Sequence, residues 1–234
     1  MDPQVNSFLL NFFSAKLDIC TNRAIEGCLN DVQVKRTLAY IDELTSIPLK
    51  DFIEYICMNP SAELISSLNY TQCSHIELCH IKMCRAFKSV GCKGLTNSEI
   101  GIILHQDFPQ KEQHSSTNAK FGENVKGASQ FGLAISKAGK WYLTSFGFVF
   151  DMLDSQKQAA LMARVLLRDP FYAHLIREAT HREVNIYDEM VGISETTKIR
   201  RLGNIATFCK IVTSQVDMDE EIILHSIIAQ KPKK

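Results

Sequence analysis

"NVKGASQFGLAISKAGKWYLTSFG", residues 124–147, is the stretch on which the fold turns. Leu133 to Ser136 and Trp141 to Thr144 are two short strand-like runs around Ala138-Gly139, a turn pair, and the pattern predicts a hairpin with Lys137 and Lys140 at its tip. Just ahead, "FGENVKGASQF" from Phe121 predicts a helix with Phe121, Val125 and Ala128 turned inward. At about 100° per residue, Glu123, Lys126 and Gln130 then share its outward side.

Moving upstream, residues 107 to 120 are polar and poor in apolar side chains, which reads as an exposed loop. Before the loop, "TNSEIGIILHQDF" opens with Thr96 and carries Glu99 three residues on, the spacing of a capping box. Ile100, Ile103, Leu104 and Phe108 follow along one helical face. Helix, loop, helix and basic-tipped hairpin is the order of a winged helix-turn-helix, whose second helix can enter a DNA groove while the hairpin lies along phosphates.

Downstream the pattern recurs in looser form. "DSQKQAALMARVLLRD" (154–169) predicts a helix capped by Asp154 and stopped by Pro170, and "FYAHLIREA" and "NIYDEMVG" predict two short helices before a turn at Gly192. Then comes "SETTKIRRLGNIATFCKIV" (194–212), capped by Ser194, with four basic side chains and one acidic one. Helical spacing puts Ile199, Leu202, Ala206 and Cys209 inward and Thr197, Arg200, Asn204 and Thr207 outward. The outward set holds side chains suited to DNA, since arginine pairs with guanine, asparagine with adenine, and threonine with bases or phosphate. Arg200 and Asn204 are the candidates for base edges, with Thr197, Arg201 and Lys210 on phosphates. Lys126, Gln130, Lys137 and Lys140 form a second candidate contact region. "KIVTSQVDMDEEIILHSI" beyond reads as a second hairpin, turning at Asp217 to Glu220, although its acidic tip is unsuited to phosphate.

Gly132-Leu133, Tyr142-Leu143-Thr144 with Gly147, and Thr197 with Arg200-Arg201 carry a resemblance. The chain from about 93 to 215 resembles the paired winged-helix region of some bacterial restriction and phage-defence proteins. That region typically has a glycine-leucine after its first recognition helix, a tyrosine-leucine-threonine wing strand with a glycine three residues on, and a threonine-x-x-arginine-arginine helix near its end. The resemblance implies DNA binding within a defence or restriction system. One departure is Phe208, where the family's closing helix commonly has tryptophan.

The rest of the sequence sets limits. The 234 residues are 45% hydrophobic and 22% charged, as in an ordinary folded protein, and 26 basic residues balance 26 acidic ones. With no global field to draw in nucleic acid, DNA binding has to rest on local patches. No apolar run is long enough for a membrane span, and the amino-terminal stretch lacks a basic leader, which predicts a cytoplasmic chain that uses no membrane. Residues 1–92 read as a helical segment that includes "DVQVKRTLAYIDEL", "PLKDFIEYICMN" and "SHIELCHIKMCRAFKSV", the last ended by Gly91. Seven of the eight cysteines fall in that segment without regular spacing, so free thiols are expected. His75 with Cys79 and His80 with Cys84 stand four apart, but the two pairs face different ways and no CxxC knuckle is present, so no metal is expected.

These observations predict a mainly α chain: a helical segment at 1–92, then tandem winged helix-turn-helix units with small β-hairpin wings at 93–153 and, after a linker helix, within 154–234. No carboxylate-lysine nuclease set, phosphate-binding glycine loop or GxSxG elbow is visible, so no catalytic residue and no cofactor is expected. Two functions fit. The chain is a sequence-reading protein that binds double-stranded DNA, as a regulator or as the recognition subunit beside a nuclease or ATPase on another chain. Alternatively its winged helices are a partner-binding surface in a multi-protein complex. A homodimer is compatible with either.

Overall fold

The computed structural model describes residues 1–15, 29–60, 81–106, 125–216 and 222–231. In chain order its elements are α1 (Pro3–Ser14), α2 (Asp31–Ser46), α3 (Leu49–Met58), α4 (Met83–Ser89), α5 (Asn97–Gln106), α6 (Val125–Gln130), β1 (Ala134–Lys137), β2 (Lys140–Leu143), α7 (Ser145–Val149), α8 (Ser155–Leu166), α9 (Pro170–Ala179), β3 (Val184–Asn185), α10 (Ile186–Glu189), α11 (Glu195–Val216) and β4 (Ile227–Ile228). The protein is mainly helical, and the strands form one antiparallel pair, β1–β2, and one parallel pair, β3–β4. No helix among the described residues is long and apolar enough to cross a membrane.

Local chemistry sets the helix ends. The Asp2 carboxylate caps α1, and Asn30 and Gln33 bond reciprocally at the start of α2, satisfying amides that a helix leaves without partners. Thr96 and Glu99 form the expected capping box: the Thr96 amide donates to Glu99 Oε2 at 2.7 Å and the Glu99 amide to Thr96 Oγ1 at 3.3 Å. Helix α4 ends in a Schellman turn, with the amides of Gly91 (φ 67°) and Cys92 bonded back to Lys88 and Phe87. Pro170 opens α9 rather than merely stopping α8, because Asp169 accepts from the amides of Phe171 and Tyr172 and the proline ring fits a first turn that has no donor to lose.

The chain divides into two compact units. One, the hairpin unit, comprises residues 16–42 and 73–155; the other, the α11 unit, comprises residues 1–15, 43–72 and 156–234. The first 92 residues therefore contribute to both units.

In the hairpin unit, α4, α5 and α6 bury Phe87, Ile100, Leu104, Val125 and Ala128 with Leu133, Leu143, Val149 and Phe150. β1 and β2 pair from Ala134↔Leu143 to Lys137↔Lys140, leaving Ala138 (φ 51°) and Gly139 (φ 75°) as the two-residue turn. Positive φ at both positions is the type I′ geometry that matches hairpin twist. Leu95 adds a third partner, exchanging backbone hydrogen bonds of 2.9 and 2.8 Å with Trp141.

In the α11 unit, α3 packs against α1, α9 and α11. Its core contains Leu9, Phe12, Phe52, Phe171, Tyr172, Ile205 and Phe208. Phe208 meets Tyr172 edge-on at 5.9 Å. Arg164 is buried among these side chains, lies over the Phe52 ring, and donates to the carbonyls of Ala160, Thr45 and Ile47; burial lowers its pKa to about 10. Glu189 on α10 accepts from His174 at 2.8 Å and from Arg182 at 2.6 Å. Burial raises the pKa of this carboxyl, but those two partners outweigh it and hold the group below its ordinary value.

Three expectations need correction. The second hairpin is not formed as expected, because residues 210–216 continue α11. Ile211, Val212 and Val216 extend a buried helical stripe, and β4 then runs parallel to β3. The inward stripe of α11 is Leu202, Ile205, Phe208, Cys209 and Val212, whereas Ile199 is 48% exposed and Ala206 half-buried. Finally, Cys57, Cys84 and Cys209 are free, but Cys92 is disulfide-bonded, and its partner lies outside the described residues. Burial pushes the Cys209 thiol up to about 12 and raises that of Cys84 still further. His75, Cys79 and His80 also lie outside the described residues, among which no group of three or more His, Cys, Asp or Glu could hold a metal ion.

Candidate nucleic-acid interface

The hairpin is locked to α6 by Gly132, Leu133, Thr144 and Gly147. Gly132 takes φ 67°, which lets the chain leave α6 with Leu133 N–H bonded to Ala128 O and Thr144 N–H to Leu133 O. The buried Thr144 hydroxyl donates to Gly132 O at 2.6 Å and accepts from Gly147 N at 3.0 Å. A Cβ on Gly147 would come within 2.1 Å of Leu133 O, so only glycine permits this approach. The Tyr142 ring similarly fills the space that a Cβ on Gly94 would need. Trp141 Nε1–H donates to Asn97 Oδ1 at 2.8 Å, tying β2 to the start of α5. These motif residues are scaffold, and they set where the lysines project.

Lys126 on α6 and Lys137 and Lys140 at the hairpin tip are exposed, and none forms an ion pair with a described residue. Phe121, Glu123 and the side chain of Gln130 lie outside what is described. Lys93, which sequence reading passed over, is also exposed, and both it and Lys140 act on Glu99. The Glu99 carboxyl is held below its ordinary pKa first by its hydrogen bonds from Thr96 and then, more weakly, by those two lysines. Lys93 precedes the Leu95 bridge, which brings it beside β2. By contrast, Lys88 is consumed structurally, bonding Asp151 at 2.6 Å and Phe148 O at 3.0 Å.

On α11, Ser194 caps the helix, accepting from Thr197 N and donating to Thr197 Oγ1 at 3.0 Å, so the Thr197 hydroxyl belongs to the cap. Arg200 and Lys210 are exposed and form no ion pair with a described residue. Gly203, with open space around its Cα, lies between them on the most exposed stripe. Asn204 is half-buried beside that stripe. Arg201 is half-buried, with its Nε shielded from solvent, and its charge acts on the buried Tyr172 phenol. Lys198, which the sequence does not separate from its basic neighbours, is held by Tyr187, whose carbonyl it meets at 3.0 Å and whose ring it overlies.

Lys126, Lys137 and Lys140 thus share the hairpin unit, while Thr197, Arg200, Arg201, Asn204 and Lys210 share α11. Comparison with protein-family models, curated proteins and solved structures finds no match to this chain.

Proposed function

We propose that the chain binds double-stranded DNA, with α11 reading sequence and the hairpin unit holding phosphates. In this reading it is a cytoplasmic recognition or regulatory subunit of a bacterial defence or restriction-type system, and a nuclease or ATPase on another chain carries the reaction. The same proposal assigns α4, the Leu95 bridge, α5, α6 and the hairpin to a winged helix-turn-helix, whose element order they follow. The α11 unit is proposed as a second helix-turn-helix in which α10 precedes α11 and β4 stands where a hairpin was expected.

The observation that carries the proposal is the contrast between cations with and without a structural partner. Lys88 is neutralised by Asp151 at 2.6 Å, whereas Lys126 on α6 and Lys137 and Lys140 at the hairpin tip are exposed and form no ion pair with a described residue, Glu99 acting on Lys140 only from beyond ion-pair distance. Those are the positions from which a winged helix reaches phosphate. On α11, the stretch from Arg200 to Lys210 is about 15 Å long, enough to follow about four base pairs. A protein-partner surface is the second reading, favoured by the exposed Ile199 beside Arg200. Selection from a random-sequence duplex pool at low salt tests the first reading. The wild type enriches a preferred sequence and Arg200→Ala blurs it, whereas enrichment of none by the wild type removes the reading role.

A further inference from the structure

We propose that the α11 unit also binds a small organic oxyanion, a carboxylate or phosphate carried on a planar apolar body, in a pocket lined by α1, α3 and α9. The pocket has a volume of about 380 Å³, within the range of small-ligand sites. Phe13 and Ile56 contribute apolar surface. The Phe13 ring stacks on Tyr55 at 4.8 Å and 7°, a flat aromatic wall suited to a flat ligand. Arg168, His174 and Arg177 supply the polar side, and no acidic residue stands among the described residues that line it.

The charge arrangement points to an anion. The two carboxylates near this edge, Glu178 and Glu189, are both engaged by Arg182, at 3.1 and 2.6 Å. Arg177 instead donates to a neutral acceptor, His174 Nδ1, at 3.2 Å. A guanidinium can only donate, so Nδ1 must accept, and the Nε2–H of His174 then donates to Glu189 at 2.8 Å. This fixes the imidazole ring and holds Arg177 in place while leaving four of its roughly five N–H donors for another group. A half-buried guanidinium whose described partner is an imidazole, facing a pocket with no acid among its described lining residues, has the geometry that takes a carboxylate or phosphate in paired hydrogen bonds. The aromatic wall then selects oxyanions with a ring over bare inorganic ones.

Phenyl phosphate, benzoate, phenol and inorganic phosphate are the probes, titrated into the full chain by calorimetry and thermal unfolding. Phenyl phosphate or benzoate should bind saturably at about millimolar concentration or below, with the stronger of the two identifying the oxyanion, while phenol and inorganic phosphate bind at least about tenfold more weakly. Arg177→Gln should weaken the better ligand by about tenfold or more, and Lys231→Gln, which removes an exposed cation of the same unit outside the pocket lining, should not. Phenol matching the anions, inorganic phosphate matching the ring-bearing anions, an unaffected Arg177→Gln protein, or no saturable binding of either ring-bearing anion would each overturn the proposal. If Arg177→Gln does not fold, the four-probe comparison on the wild type decides alone. DNA is absent from the assay, so its outcome is independent of the duplex-binding reading.

Discussion

Thr144 in the hairpin unit and Arg164 in the α11 unit are the buried polar and charged side chains among the described residues, and they are satisfied in opposite ways. Thr144 is neutral and bonds Gly132 and Gly147, both close in sequence. Arg164 is charged and reaches carbonyls at Thr45 and Ile47, more than a hundred residues away. A neutral hydroxyl costs little to bury once paired, whereas a guanidinium burdens the fold with its desolvation unless several acceptors surround it. The hairpin unit is therefore specified by short-range backbone geometry, and the α11 unit by long-range packing and one expensive cation.

That contrast breaks most visibly at Gly147. Gly147→Ala should destabilise the hairpin unit by more than about 3 kcal/mol, because the new methyl meets a backbone carbonyl that cannot move aside without parting α6 from the hairpin. Chemical denaturation monitored by Trp141 fluorescence should show that unit melting early. Arg164→Ala should cost about 3 kcal/mol by leaving the Thr45 and Ile47 carbonyls without their donor, and Arg164→Lys should recover only part of it, since a single ammonium cannot reproduce the fork. Thr144→Val, nearly equal in volume, should cost about 2 kcal/mol through the lost bonds to Gly132 and Gly147. The smallest effect has the opposite sign. The Tyr172 hydroxyl is buried without a hydrogen-bond partner among the described residues, so Tyr172→Phe should be neutral or stabilising by up to about 1 kcal/mol, and a clear loss would reveal a partner for that hydroxyl.

The same contrast explains what the sequence made legible. The Thr96–Glu99 capping box, the Ala138-Gly139 turn and the Gly91 helix stop are all read over a few residues, and each stands as expected. On α11 the hydrophobic residues nearly encircle the helix, so periodicity alone placed Ile199 inside and Ile205 unassigned; the packing against Tyr172 and α3 decides the face. The strand reading of 210–216 failed for a related reason. β-branched Ile211, Val212 and Thr213 suit a strand locally, but burial of Val212 and Val216 along one helical stripe wins. Among the candidate contacts, the sequence identified Lys126, Lys137, Lys140, Arg200 and Lys210, which are exposed. It could not show that the Thr197 hydroxyl accepts a hydrogen bond from the helix cap, or that Lys93 lies beside β2, because both depend on contacts made only after folding.

The claim that the exposed lysines of the hairpin unit hold duplex phosphates is tested most directly by the salt dependence of DNA affinity. Fluorescence anisotropy of a labelled random-sequence duplex, titrated with wild type and with Lys137→Ala/Lys140→Ala across a series of salt concentrations, gives the two slopes of log affinity against log salt. Each phosphate contact contributes about 0.9 to that slope, so the double variant should bind all sequences more weakly and show a slope about two units shallower. Equal slopes and affinities for the two proteins, or no duplex binding by the wild type at low salt, would contradict the account.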